Sequence, residues 1–313
     1  MSKFSKIIIL CGVVLIGFSI ILSAFNFNRI FTPFTTGDKA SYTQTTKIIG
    51  NTELENLKIT TRNERITIKP TTRTEIRITY YESDRNKYSF SETDDTFTMT
   101  KDSNIRNFRI GINFSIFIPY IVVEIPETLI LSYDIKTSNA RIQLNDLNLR
   151  ESTFTSSNGR IEVENIVSTA NLKFQTSNSS INVENLNAGK VYFGTTNGSI
   201  NLDNIKALVI DGKTSNSSIT LDRITSQELL LKTSNGRINL KNINSHIINA
   251  QTSNSSIEAN IIGFENDFKR DLRTSNGRIR INDIEYGTRV LDNQTKSKQL
   301  ILHTSNGGVR VKF

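Results

Sequence analysis

The sequence predicts an all-β chain: a single-stranded, β-helix-like solenoid with coils of 19–20 residues, opened by an N-terminal β cap and preceded by one transmembrane helix. Three observations predict it. A tetrapeptide, Thr-Ser-Asn-Gly or a close variant, recurs with its Asn at Asn139, Asn158, Asn178, Asn197, Asn216, Asn235, Asn254, Asn276 and Asn306. Apolar and polar residues alternate on both sides of each copy. An apolar, uncharged run from Ile7 to Phe25 follows Lys3 and Lys6.

The repeat decides the architecture. A fixed period near 20 residues means one small unit copied and stacked. Six and four residues before the Asn stand pairs such as Leu172 and Phe174, or Val191 and Phe193. Three and five residues after it stand Ile161 and Val163, Ile181 and Val183, Ile200 and Leu202. Period-two alternation is a strand with one buried face. An apolar residue also recurs eight after the Asn: Leu147, Ile166, Leu186, Ile205, Ile224, Ile243, Ile262 and Ile284. It breaks the alternation, so a bend lies between the two sets. No single repeat can bury this face alone, and burial is worth about 1.5–3 kcal/mol per aliphatic side chain. Stacked coils, like residue over like at about 4.8 Å, solve the problem.

The motif itself reads as a corner. Asn and Gly accept the left-handed backbone region, so the left-handed residue is expected here. The nine Asn are expected to form a structural ladder, their amides bonded from coil to coil. Only small residues follow the Asn (Ala140, Gly159, Ser179, Gly198, Ser217), which fits a close approach of neighbouring backbones. Asn-Gly between alternating runs is also a hairpin signal, and a chain of hairpins would share the same inward face. The Asn-Ser copies at Asn178, Asn216 and Asn254 speak against it, because such a turn would force Ser to positive φ.

Along the chain, residues 1–25 are read as a transmembrane signal anchor: 19 apolar residues suffice to span, and the preceding lysines favour a cytoplasmic N-terminus. A cleavable signal peptide is the alternative, although Leu22-Ser23-Ala24 makes an indifferent cleavage site. Cys11 follows Leu10, too bulky for a lipoprotein motif, and reads as an apolar membrane residue. Residues 26–41 form a linker or stalk. Residues 42–128 are a β region capping the solenoid, with Thr61-Arg62-Asn63-Glu64 a decayed corner. The stretch Phe108 to Val123 is divided by Pro119 and reads as two buried strands. Residues 129–313 are the regular coils, ending in an open coil at Phe313. The longer spacings before Asn276 and Asn306 place extra residues at 263–269 and 286–298, expected as surface loops.

Composition narrows the role. With Cys11 the single cysteine, no disulfide holds the exported part together. The formal charge of +8 is spread along the chain, and Asp267 and Asp271 interleave the densest basic cluster, Lys269, Arg270 and Arg273. No nucleic-acid partner is expected; a mildly basic exterior would suit anionic wall polymers or headgroups.

No catalytic, cofactor-binding or metal residues are assigned, and no enzyme activity is expected. His246 and His303 fall at different places in the repeat and lack metal-pair spacing. No phosphate loop, dinucleotide fingerprint or nucleophile elbow is present. Glu162, Glu164, Glu184, Asp203, Asp222 and Glu258 scatter singly, without a cluster at one level; Glu164 and Glu184 could stack on adjacent coils, where paired carboxylates can hydrolyse glycosides, but solvated exterior positions explain them.

The run Ile121-Val122-Val123-Glu124-Ile125-Pro126, continuing through Leu129 to Leu144 into the corners, resembles the bacterial putative-adhesin family of cell-surface β-strand-repeat proteins, over roughly residues 48–313. The resemblance implies an anchored extracytoplasmic β-solenoid with no agreed ligand and no cofactor. The expected function is a membrane-anchored surface protein with an adhesin or envelope-binding role. The expected partners are the membrane, through a single span, and cell-wall polymers or another envelope protein. A sensory module of an envelope-stress system is the alternative.

Overall fold

The computed structural model describes residues 42–50, 53–84, 86–102, 119–292 and 294–313. The anchor and stalk expectations for 1–41 and the first part of the Phe108–Val123 expectation lie outside the described residues. No helix among the described residues is long and apolar enough to cross a membrane, and the one helical turn is the 3-10 segment Glu265–Asp267. Everything else regular among the described residues is β: 23 strands hydrogen-bonded into one continuous sheet.

The sheet winds into coils, and Ile200–Lys213 shows how. Its inward residues Ile200, Leu202, Ile205, Ala207 and Ile210 are buried. It pairs in parallel with Ile181–Gly194 on one side and Ile219–Lys232 on the other, without slippage. The column Ile161, Ile181, Ile200, Ile219, Ile238, Ile257 therefore runs through successive coils as one aliphatic stripe. Hairpins are excluded in this region, since every one of these pairings is parallel.

The bend is a single left-handed residue, seven positions after each of the six corner Asn from Asn139 to Asn235. Asp146, Asn165, Asn185, Asn204, Arg223 and Asn242 have φ between 53° and 56°. One such residue turns the chain and restarts the alternation one position late, which is why the eighth residue faces inward. The expectation of a left-handed corner at Thr-Ser-Asn is corrected by the same angles. Neither the nine corner Asn nor the glycines after them have positive φ. Short polar side chains favour that region, and at five of the six bends Asn or Asp supplies it one strand further on, Arg223 being the sixth.

Smallness after the corner Asn has a different cause. A Cβ added to Gly198 would lie 1.7 Å from the carbonyl oxygen of Ser179, and Gly159 and Gly236 meet Ala140 and Ser217 at the same distance. In space this position alternates Ala140, Gly159, Ser179, Gly198, Ser217, Gly236, Ser255, Gly307, so over these eight coils the repeating unit is two coils; at the outermost coil Gly277 follows Gly307 and ends the alternation.

Inside, Phe154, Phe174 and Phe193 stack nearly parallel, with centroids 5.4 and 5.5 Å apart, below Tyr133. The stack stops where Gly212 stands opposite Phe193; the Leu231 side chain lies 2.9 Å from where a Gly212 Cβ would be, filling that space.

The coils are not stacked in chain order at either end. Lys298–His303 lies between Ile238–Gln251 and Phe268–Arg273, and Val309–Lys312 lies between Ile257–Ile261 and Ile279–Ile281. The chain thus skips a level, builds the outermost coil with 268–281, and returns to fill the gap. The coil ending at Phe313 is an inner one, which corrects its assignment as the open end. The insertions at 263–269 and 286–298 are the crossovers out and back. Their geometry also swings Ile262 and Ile284 outward, to 52% and 60% exposure. A register shift puts Ile261 in the place under Ile243 that Ile262 was expected to fill.

The other end does the same. Asn56–Thr60 lies between Thr96–Lys101 and Ser132–Thr137, and Arg65–Thr71 between Tyr120–Pro126 and Ile142–Leu149. Antiparallel strands close both ends: Tyr88–Glu92 and Ile76–Glu82 at one, Arg289–Leu291 and Ile284–Glu285 at the other. Reversed strands interrupt the parallel template, and those at the second end are only two or three residues long, which blunts it.

Candidate functional site

Three columns follow from the coil. The first is the Asn ladder. In the spatial order Asn139, Asn158, Asn178, Asn197, Asn216, Asn235, Asn254, Asn306, Asn276, each corner amide donates to the amide oxygen of the one before it, at 2.6–2.8 Å. Asn63 joins as a tenth member, accepting from Asn139 at 2.7 Å. At this corner Glu64 stands where the others have a small residue. Its buried carboxylate accepts from the backbone N–H groups of Arg62 and Asn63 and binds Lys101. It takes the place of the carbonyls another corner would offer.

Behind the ladder runs a buried hydroxyl column. Thr195, Thr214, Thr252, Thr274 and Thr304 each donate to a backbone carbonyl of the neighbouring corner at 2.7–3.1 Å. Satisfied buried hydroxyls explain why Thr or Ser opens every motif. A third ladder tops the bend, where Asn165, Asn185 and Asn204 donate in turn to Asp146, Asn165 and Asn185 at 2.7–2.8 Å. These ladders are scaffold: their amides bond to one another.

The outward face between the two corners is where ligand chemistry is available. Its sixth position after the Asn holds Glu164, Glu184, Asp203 and Asp222 in strict register on four successive coils. They line an open groove together with Glu162, Asn182 and Asn201. Glu164 and Glu184 have no hydrogen-bond or ion-pair partner among the described residues; Asp203 binds Arg223. Glu162 is held by Arg141 and Arg160. The acidic residues read as scattered in the sequence because each coil contributes one to this column; their common distance from the Asn is the signal.

Glu164 and Glu184 stand in equivalent, solvent-exposed places, so nothing sets one apart as acid and the other as base. Among the described residues no group of three or more His, Cys, Asp or Glu could hold a metal. His246 is exposed on another part of the coil, while His303 lies 3.3 Å from Asp271. Burial pushes the Asp271 carboxyl up, but Arg273 and His303 outweigh it and leave it below its ordinary value.

At the outermost coil an ionic knot ties the two crossovers. Arg270 donates to both oxygens of Asp292, at 2.8 and 3.0 Å, and to Glu265. The Arg270 guanidinium holds the Asp292 carboxyl below the ordinary carboxylate range, against the opposing effect of burial.

Comparison with known proteins places this geometry. No curated protein matches the sequence. Among solved structures, the chain is similar to a putative adhesin from Bacteroides fragilis NCTC 9343, at 13% identity and a TM-score of 0.34, covering 87% of this chain and 97% of that one. It is also similar to a putative cell adhesion protein from Clostridium sporogenes ATCC 15579, at 10% identity and a TM-score of 0.24, covering 87% and 99%. The profile of one family, Toastrack DUF4097, matches residues 54–312. That span takes in the corners, the bends and both intercalated ends, and the chain belongs to the Toastrack DUF4097 family.

Proposed function

We propose that this chain is a non-catalytic, adhesin-like surface protein of the cell envelope. In this reading residues 7–25 hold it at the membrane, and the solenoid outside binds or organises envelope components along its outward sheet face. The observation that carries the reading is the row Glu164, Glu184, Asp203, Asp222. Four like charges at the spacing of the coils, about 4.8 Å apart, suit an extended partner with its own repeated charges better than a small molecule. Such a row repels phosphate polymers, so the partner presents cations.

The test is capture of purified wall glycans, teichoic acids, matrix proteins and crosslinked membrane proteins by the full chain. A quadruple variant, Glu164→Gln, Glu184→Gln, Asp203→Asn and Asp222→Asn, is expected to lose capture. Glycan turnover abolished by Glu164→Gln would establish an enzyme instead. Undiminished attachment to membranes after deletion of residues 1–25 would contradict the anchor.

A further inference from the structure

The face that carries the acidic row changes sign along its length. Lys241 follows Asp222 directly in the same column. The coil of Asn306 presents Arg310 and Lys312, and the outermost coil presents Arg280 opposite Arg310, with Arg278 two residues before it. Like charges opposite one another on adjacent strands destabilise a sheet, yet the sixth-position column keeps the two signs apart, with Glu164, Glu184, Asp203 and Asp222 on one side and Lys241 and Lys312 on the other. Glu184 at one end and Lys241 and Arg310 at the other have no ion-pair partner among the described residues, so both halves are left for something outside the coil.

We propose that the partner of this face is a second copy of the same chain, laid antiparallel upon it. The proposal rests on the surface-binding reading above and names its partner. A twofold axis along the strand direction, between the coils of Asn216 and Asn235, reverses the order of the coils and keeps each column over itself. Asp222 then faces Lys241 of the second copy, and Glu184 faces Lys312, which within its own chain also contacts Asp283 at 3.3 Å; Glu162 faces Arg280, both already ion-paired in their own chain, and each pair forms twice by symmetry. Asp203 meets Asn260, and Glu258 meets Asn201, so no two acids oppose. The one like-charged meeting, Arg160 with Arg278, falls at the rim, where each is already bound to its own Glu162 or Glu285. A parallel arrangement would set acid on acid through four coils.

The spacing of the charges matches as well as their sign, since both arrays are ruled by the same inter-coil distance. Eight coils at about 4.8 Å, with strands about five residues wide at about 3.3 Å each, bury roughly 1,300 Å² over both copies. That lies within the range of stable specific interfaces. Screening by salt weakens pairs of this exposed kind.

The experiment is sedimentation velocity of the full chain in mild detergent at low and high salt, with melting followed in parallel. A dimer is expected at low salt, dissociating as salt rises. Lys241→Glu and Asp222→Lys are each expected to weaken the dimer at least about tenfold, about 1.4 kcal/mol. The double variant Asp222→Lys/Lys241→Glu restores the opposed charges and is expected to recover the dimer. Single reversals that leave association unchanged, or a double variant that stays as weak as the singles, would overturn the proposal. So would a strict monomer whose acidic row captures oligolysine; that outcome spares the surface-binding reading and assigns the row to a cationic polymer.

Discussion

Asn306 donates its amide to Asn254 at 2.7 Å across 52 residues of chain, while Asn276, nearer to Asn254 in sequence, binds on the far side of Asn306. The last coil is therefore a keystone, not a loose end. Val311 is fully buried between Ala259 and Ile281. Deleting residues 298–313 is expected to abolish hydrogen-exchange protection in both Ile257–Ile261 and Phe268–Ile281, while the coils from Ser132 to Ser245 keep theirs. Val311→Asp, which buries a carboxylate there, is expected to cost at least about 3 kcal/mol in unfolding. Protection lost only in the deleted coil would mean that it caps an ordinary stack.

The contrast shows what the sequence could and could not specify. Ile161, Ile181 and Ile200 were legible because every coil solves the same burial problem, so the answer repeats at the same distance from the Asn. The level order was not, because aligning copies assumes that the next in sequence is the next in space. The lengthened spacings around Asn276 and Asn306 held the clue, since a chain that skips a level needs extra residues twice. The left-handed residue was assigned to the wrong corner for a similar reason. Asn165 and Asn185 recur as regularly as the motif Asn, and Asn-Gly drew the turn chemistry to itself. The row from Glu164 to Asp222 needed column-by-column reading, because within any one coil a single carboxylate is unremarkable surface.

The alternation of Gly and Ser after the corner Asn is a packing rule that can be tested by exchange. Gly198→Ala places a methyl 1.7 Å from the Ser179 carbonyl oxygen and 2.2 Å from its carbon, and backbone atoms held on both edges cannot yield. A loss of about 3 kcal/mol is expected. Ser217→Gly, on the next coil, removes nothing that its neighbours need and is expected to cost about 1 kcal/mol or less. Chemical denaturation of the two variants checks the rule; equal losses would refute it.

Asn216 sits in mid-ladder, donating to Asn197 at 2.7 Å and accepting from Asn235 at 2.8 Å. Asn216→Ala removes both bonds and is expected to cost about 1–2 kcal/mol. Asn216→Asp separates donation from acceptance. Its carboxylate still accepts from Asn235 but faces the Asn197 oxygen with no proton to give. The folded state then favours the protonated acid, raising its pKa. A raised pKa gives a contribution present below the unfolded value, near 4, and lost as pH rises through the folded one. The Asp variant should thus approach wild-type stability in acid and fall below it at neutral pH, as melting across that range would report.

The knot between the crossovers responds to acid in the opposite sense. Arg270 and Asp292 are only 15% and 18% exposed, and the carboxylate also accepts from the Arg270 backbone N–H at 3.0 Å. Because Arg270 depresses the Asp292 pKa, the stabilisation is fully present above the ordinary carboxylate value, near 4, and is lost as pH falls through the depressed one. Exchange in Phe268–Arg273 and Arg289–Leu291 is expected to accelerate on acidification before the central coils respond. Asp292→Asn keeps the shape but removes the charge, so it should cost about 1.5–3 kcal/mol of local protection at neutral pH, roughly ten- to a hundredfold faster exchange. It should also flatten the acid response of these two strands. If they opened at the same pH in the variant as in the wild type, Asp292 would not be the group that titrates, and the crossovers would be held by their backbone pairing alone.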